Sequence, residues 1–109
     1  MSAKPVVPRA DADRDIVEAV DYHSSTASAA VALAFIDALE RAFRHIASHP
    51  AAGSPRYAHE LELPGLRAWP LKRYPHIVFY VEQESHIDVW RVLHAKRHIP
   101  EWMQGAPSS

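Results

Sequence analysis

Basic, imidazole and phenol side chains that could act on a phosphate group are concentrated in the C-terminal part of the sequence. Between Leu66 and Ile99 there are six lysines and arginines against three acidic residues, together with four histidines. Residues 1–55 instead carry five basic residues against seven acidic ones. Because a surface of one charge sign attracts partners of the opposite sign, this asymmetry favours an anionic partner near the C-terminal half. A solvated strand surface that happens to be basic explains the same pattern equally well.

Several other kinds of chemistry have little support. The chain has no cysteine, which removes disulfides, thiolate metal sites and a cysteine nucleophile, and is easiest to reconcile with the cytoplasm. The serines lack a nucleophile-elbow pattern, and three glycines cannot build a phosphate-cradling loop. A net charge of -1 and an isoelectric point near 6.7 argue against strong nonspecific binding to nucleic acid. No cofactor is expected.

Two pairs of histidines have a spacing that occurs in metal sites. His45 and His49 are four residues apart on a predicted helix, which can direct two imidazoles at one ion, and His94 and His98 repeat the interval. Neither pair has a convincing third ligand. We therefore predict solvated histidines and no metal.

The length of the chain predicts one domain. A chain of 109 residues is close to the commonest domain size, and its 48% apolar content predicts a packed core. We expect the domain to span residues 1–104 and the small, polar residues 105–109 to form a disordered tail. The longest apolar run, Ala29 to Ile36, is far short of the roughly 20 residues that cross a bilayer, so no membrane association is expected.

Two amphipathic helices are predicted in the N-terminal half. Asp11 to His23 begins with carboxylates that suit a helix N-terminus and repeats apolar residues at three- and four-residue steps. Ser24 to Thr26 then forms a polar break, and Pro50 ends the second helix. The apolar face of that second helix consists of Ala32, Ile36, Leu39, Phe43 and Ile46. Since the connection is short, the helices should form an antiparallel hairpin. On the outer face, Asp37 with Arg41 and Glu40 with Arg44 have the spacing of helical ion pairs.

The remaining segments predict a small sheet. Val6 and Val7 lie between prolines that cannot donate to a ladder, so they form an edge strand or none. Residues 50–65 have the composition of a surface loop rich in proline and glycine. Three β-favouring runs follow as sequential antiparallel strands, Leu66 to Arg73, Ile77 to Val81 and Ile87 to His94, with Val89 and Leu93 expected on one face. The fold class is therefore α+β, with an N-terminal edge strand and a helical hairpin packed on a mainly antiparallel sheet of three to four strands.

The order of these elements resembles the ParE/RelE superfamily of toxins from bacterial type II toxin-antitoxin pairs, and more closely its ParE branch. The similar residues include the turn His49-Pro50-Ala51-Ala52-Gly53, the strand segment Tyr74 to Tyr80, and the segment Ile87 to Arg97 with its Val-Leu-His sequence followed by basic residues. The resemblance implies a cytoplasmic toxin, linked to plasmid stability and held inactive in a hetero-oligomer by an antitoxin whose C-terminal segment wraps it.

The superfamily contains two activities with different chemical needs. ParE-like members inhibit DNA gyrase and need only a complementary surface, whereas RelE-like members cut messenger RNA in the ribosomal A site. RNA cleavage requires a base, an acid and cations that stabilise the transition state. For that chemistry the chain offers Arg67, Arg73, Tyr80, Arg91 and His94, with Arg97 in support. RelE-like sequences are generally lysine-rich before the central strands, where this chain has His59, Glu60 and Glu62.

The departure from the RelE pattern favours a gyrase inhibitor without enzymatic activity. A ribosome-dependent endoribonuclease and an inactive homologue that only binds an antitoxin remain alternatives. The residues predicted to contact a partner protein are Arg67, Arg73, Arg91, His94, Arg97 and Trp102.

Each of these residues also has a structural interpretation. Arg67 could pair with Glu60 or Glu62, and an arginine among the apolar residues of the last strand needs a partner, because a buried unpaired guanidinium is costly. His94 could be a hydrogen-bonded histidine at a strand end. Trp69 and Trp90 would pack in the core, which leaves Trp102 as the best interface anchor.

Overall fold

The fold is a four-stranded sheet with helices on both faces. The computed structural model describes residues 3–95. Its elements, in chain order, are β1 (Val6–Pro8), α1 (Ala10–Thr26), α2 (Ala29–Ser48), a 3-10 turn (Pro50–Ala52), α3 (Arg56–Leu61), β2 (Leu66–Pro70), β3 (His76–Glu82) and β4 (Ile87–His94). The predicted α+β class, edge strand and helical hairpin are confirmed. None of the helices in residues 3–95 is long and apolar enough to span a membrane.

The connection between α1 and α2 differs from the predicted break at Ser24 to Thr26. The hydroxyls of Ser25 and Thr26 donate to the carbonyls of Asp21 and Tyr22, each four residues earlier, at 2.8 and 2.6 Å. These bonds lie along the helix, so α1 continues through Thr26. Ser28 instead caps α2, since its Oγ accepts the amide of Val31 at 3.1 Å. Neither of the predicted ion pairs on α2 forms, because the salt bridges among residues 3–95 involve other side chains.

The strand order in the sheet is β1-β4-β3-β2. β2, β3 and β4 form an antiparallel meander, whereas β1 pairs with β4 in parallel, from Val6 opposite Ile87 to Pro8 opposite Val89. β1 is therefore the edge strand that its prolines predict. β2 ends at Pro70, earlier than predicted, because the amide of Leu71 bonds the carbonyl of His76 and starts the turn to β3.

A bulge changes the faces of β4. Tyr80 is opposite Val89 and Phe79 is opposite Arg91, so Trp90 is the extra residue. After an inserted residue, the alternation of side chains between the two faces shifts by one position. Val89 and Leu93 therefore pack in different clusters, which contradicts the prediction that they share a face.

The sheet has an apolar cluster on each face. The first contains Phe35, Leu39 and Ile46 of α2 with Val78 and Tyr80 of β3, all at most 5% exposed. The second contains Leu66, Ala68, Phe79 and Leu93, against which residues of α3 pack. The predicted loop at residues 50–65 thus contains a 3-10 turn and a short helix. It escaped prediction because α3, at six residues, is too short to give a clear helical period.

Candidate functional site

Arg91 is joined to the first helix by a bidentate ion pair. Its Nε and Nη2 donate to the two carboxylate oxygens of Asp15 at 2.8 and 2.9 Å. Asp15 Oδ2 also accepts the amide of Val92 at 3.0 Å. Because β1 pairs no further along β4 than Val89, this carboxylate satisfies the strand edge where β1 has ended. The hydrogen bonds that Arg91 donates to Asp15 raise the pKa of Arg91 above its ordinary value, so its guanidinium stays charged.

Arg67 and Tyr80 hold the segment that follows α2. Arg67 Nη1 donates to the carbonyls of Ala51 and Gly53 at 3.2 and 2.8 Å. The Tyr80 hydroxyl donates to the carbonyl of Pro50 at 2.7 Å and accepts the amide of Gly53 at 2.9 Å. The predicted alternative partners of Arg67 were wrong, since Glu60 bonds Arg56 instead and the guanidinium is engaged by backbone oxygens. We call this arrangement the loop clamp.

The loop clamp accounts for the phenol and for the glycine. Tyr80 is fully buried, and burial raises the pKa of its hydroxyl, against the lowering effects of the Gly53 amide and the Arg67 cation. A Cβ on Gly53 would press on the Tyr80 hydroxyl and come within 2.9 Å of the Arg67 Cβ. A residue without a side chain is therefore needed at position 53 for the backbone to approach this closely.

His94 lies at the end of a row of aromatic rings. It is opposite His76 in the β3–β4 register, with ring centroids 5.3 Å apart and planes at 74°. His76 in turn contacts Phe35 at 5.0 Å and His23 at 6.0 Å. This arrangement matches a structural histidine at a strand end, half-buried and in contact with His76.

Arg73 borders an open groove between α2 and the turn that follows β2. The groove has a volume of about 760 Å³, and its charged and aromatic lining residues are Asp37, Arg41, His45, Trp69, Lys72, Arg73 and Tyr74. Its floor includes Ala34, Ala38 and Ala42 of α2. We call this feature the α2 groove. It joins residues that sequence reasoning had treated separately, because the turn after β2 folds back towards α2.

The metal prediction concerns His45 and His49. Their rings stack at 5.0 Å, and His45 also stacks on Trp69 at 4.4 Å. Within residues 3–95, no group of three or more histidine, cysteine or acidic residues is placed to hold a metal ion. His98, together with the predicted partner residues Arg97 and Trp102 and the predicted tail 105–109, lies outside the described residues.

The residues proposed for RNA cleavage are distributed over several environments. Arg67 and Tyr80 meet in the loop clamp, Arg91 is held by Asp15, His94 packs against His76, and Arg73 borders the α2 groove. Of the five, only Arg73 has an exposed side chain free of hydrogen bonds and ion pairs within residues 3–95.

Comparison with known proteins decides the family. The model of the family described as ParE toxin of type II toxin-antitoxin system, parDE, matches residues 6–99 of the sequence. This chain belongs to the ParE toxin family. The fold agrees, since a solved structure described as the chromosomal ParDE TA system from P. aeruginosa superposes with a TM-score of 0.72. That alignment covers 86% of this chain and 98% of the other at 18% identity, while no curated protein sequence matches.

The chain is therefore a ParE-type toxin of a type II toxin-antitoxin system, and its family implies an antitoxin partner. The resemblance stated from the sequence is confirmed. In this ParE-family toxin the loop clamp lies on the His49-Pro50-Ala51-Ala52-Gly53 turn that carried part of that resemblance, which gives the motif a physical role: it supplies the carbonyls and the amide that Arg67 and Tyr80 bind.

Sequence reasoning missed a second ion pair of this ParE-family toxin. Arg9 donates to both oxygens of Asp88 at 3.0 and 2.8 Å, and Trp90 Nε1 donates to Asp88 Oδ2 at 3.1 Å. The Arg9 guanidinium also lies 4.6 Å from the centre of the Trp90 ring. Asp88 and Trp90 are two apart on a strand, a spacing that could have placed them on one face, but nothing local points to Arg9.

Proposed function

We propose that this ParE-type toxin inhibits DNA gyrase by binding it, without a catalytic step of its own. The observation that carries this proposal is that most of the residues predicted to cleave RNA are engaged in contacts within the fold. Three of the five side chains available for RNA cleavage, Arg67, Tyr80 and Arg91, hold the fold together. A toxin that acts by binding needs only a complementary surface and does not need these side chains as catalysts.

Tyr80 argues most directly against ribonuclease chemistry. A proton-transferring group must come within hydrogen-bonding distance of the substrate. The Tyr80 hydroxyl is fully buried, donates its proton to Pro50 and accepts from Gly53. Its raised pKa also opposes formation of the phenolate, so it is a poor general base near neutral pH.

The two clamped arginines give the same result. A phosphate would have to displace Asp15 from Arg91, and the amide of Val92 would lose its acceptor in the same step. Arg67 would have to leave two carbonyls of the loop that it closes. In both cases substrate binding would break contacts that stabilise the fold, because a buried polar group left without a partner is destabilising.

The partners of such a toxin are a cognate antitoxin and gyrase, with the cytoplasm as its location and plasmid stability as its physiological effect. Arg73, His94 and the residues Arg97 and Trp102 remain the predicted contacts for those proteins. Support for the proposal comes from membership of the ParE family and from the near-neutral charge of the chain, which suits protein binding better than ribosome binding.

The first experiment induces the toxin alone in bacteria and follows the incorporation of labelled thymidine and labelled methionine. We expect thymidine incorporation to fall first, and purified toxin to inhibit supercoiling by purified gyrase. His94→Ala serves as the diagnostic variant, because a ribonuclease that uses His94 would lose activity, and circular dichroism checks that the variant is folded. An early fall in methionine incorporation that His94→Ala abolishes would establish the RelE-like alternative. No effect on either label, with antitoxin binding retained, would indicate an inactive homologue.

A further inference from the structure

The α2 groove concentrates positive charge that the fold does not use. Arg41, Lys72 and Arg73 are exposed and line the groove from α2 and from the turn after β2. None of these three side chains makes a hydrogen bond or an ion pair within residues 3–95. The one carboxylate in the lining, Asp37, is also unpaired there. The lining therefore has a surplus of cations, and each is available to an external anion.

The backbone at the mouth of the groove is unfavourable for the residue it carries. Arg73 has a φ of 69°, in the left-handed region where a glycine or an asparagine costs less. Such strain persists only where the surrounding structure enforces it, and it is frequent at ligand-binding positions. At this point the strained residue is an unpaired arginine that lines the groove.

Aromatic rings lie beside these cations. His49, His45 and Trp69 form a stack with centroid separations of 5.0 and 4.4 Å and planes within 24° of parallel. His45 and His49 are exposed, so the stack ends in an accessible ring face. Cations that follow a backbone, together with aromatic faces for bases, form the combination that binds single-stranded nucleic acid.

We propose that the α2 groove binds a single strand of DNA, with Arg41, Lys72 and Arg73 contacting phosphates and the exposed end of the His49–His45–Trp69 stack contacting a base. The inference rests on the proposed function, because a toxin that acts on gyrase meets DNA strands opened at the cleavage site. The groove would hold the toxin against the strand while other surfaces contact the enzyme.

A strand of nucleic acid fits the groove better than an acidic peptide does. The floor is the alanine face of α2, whose backbone groups are already bonded within the helix, so a peptide backbone would find no hydrogen-bonding partners there. A strand of nucleic acid needs no such hydrogen bonds, because its affinity comes from cations that contact its phosphates and from rings that stack on its bases.

The test measures fluorescence anisotropy of a labelled oligothymidine of about 12 nucleotides with the purified toxin at several salt concentrations. The double variant Arg41→Gln with Lys72→Gln should bind about tenfold more weakly, and the slope of its salt dependence should decrease by about 0.7 for each phosphate that it no longer neutralises. The matched control is Arg14→Gln with Arg44→Gln, which removes the same charge from exposed positions outside the groove. Circular dichroism checks that both variants are folded.

The same proteins are assayed for inhibition of gyrase supercoiling, which separates the two proposals. Groove-dependent DNA binding by a toxin that leaves gyrase untouched would support the groove and reject the proposed function. Gyrase inhibition that the groove variant retains in full, with no oligothymidine binding by the wild type, would overturn the groove. Equal weakening by the control variant would also overturn it, because binding would then follow net charge. Displacement of the oligonucleotide by polyglutamate of matched charge at equal concentration would identify an acidic-peptide surface instead.

Discussion

The ion pairs of β4 and the α2 groove contain the same kind of side chain in opposite situations. At β4, Arg91 and Arg9 each bind a carboxylate through two hydrogen bonds. In the groove, Arg41 and Arg73 have no partner within the described residues. The difference shows that the number of arginines does not identify a binding surface, because some of them are fully engaged within the fold.

The largest expected effect of breaking this contrast is at Asp15. Asp15→Asn removes the charge that holds Arg91 and weakens the acceptor for Val92, in a pair whose side chains are 10% and 29% exposed. We expect the free energy of unfolding in urea to fall by about 2–3 kcal/mol. Asp11→Asn is the control, since its pair with Arg14 is exposed and should contribute less than about 0.5 kcal/mol. Similar decreases from the two substitutions would contradict a structural role for Arg91.

The loop clamp should give the next largest effect. Tyr80→Phe leaves the buried Gly53 amide and the Pro50 carbonyl without their shared partner, and should lower the free energy of unfolding by about 1–2 kcal/mol. Hydrogen exchange at the Gly53 amide should accelerate more than exchange in β3. Tyr57→Phe is the matched control, and it should leave exchange at Gly53 unchanged.

The buried phenol also predicts a dependence on alkaline pH. The pKa of Tyr80 is raised in the folded state, so its contribution is fully present below the unfolded pKa of about 10 and is lost as pH rises through the folded pKa. Wild-type stability should therefore fall more steeply than that of Tyr80→Phe above pH of about 10. Chemical unfolding across that range measures the difference, and parallel curves would show that the hydroxyl does not resist ionisation.

A smaller effect is expected at the ion pair between Arg9 and Asp88 of β4. Arg9→Gln removes the bidentate contact with Asp88 and the contact with the Trp90 ring. Because the arginine side chain is 53% exposed, the free energy of unfolding should fall by about 0.5–1 kcal/mol. The tryptophan fluorescence of the folded variant should also differ from that of the wild type, since Trp90 loses a neighbouring cation. A decrease as large as that of Asp15→Asn would contradict the small contribution expected of so exposed an arginine.

The smallest effect belongs to the groove. Arg73→Gly removes a side chain without a partner among the described residues and relieves a left-handed backbone, while it adds freedom to the unfolded chain. These effects oppose each other, so the free energy of unfolding should change by less than about 0.5 kcal/mol. A thermal unfolding curve suffices to check it. A large decrease would mean that Arg73 has a structural partner and would end the contrast with Arg91.

Those regions also differ in how far the sequence predicts them. The two long helices have clear periods, the last three strands are β-favouring runs, and the prolines around β1 mark it as an edge strand, so most of the architecture follows from local patterns. The bulge at Trp90 does not, because one inserted residue leaves an apolar run that looks the same with or without it. The face of Leu93 was therefore assigned wrongly. The resemblance to the ParE toxins did not depend on that face.

The candidate site depended on long-range contacts that no local pattern contains. Chemistry alone indicates that Arg91 needs a partner, but only the fold identifies Asp15, in a helix 76 residues earlier. Arg67 was given acidic partners that are close in sequence, whereas it binds carbonyls brought near by the turn after α2. The groove was missed for the same reason, because Arg41 and Lys72 belong to separate elements.

The parallel pairing of β1 with β4 has a consequence for how the toxin is made. The contacts that close the sheet, such as Arg9 with Asp88, join residues 79 apart, whereas the helical hairpin and the strand meander form from neighbours in the chain. Closing so long a loop is slow relative to local folding, so β1 should dock last. During synthesis the N-terminal segment must wait until β4 has left the ribosome before it can pair. A nascent or truncated toxin lacking β4 would leave β1 unpaired and the carboxylate of Asp15 without its arginine.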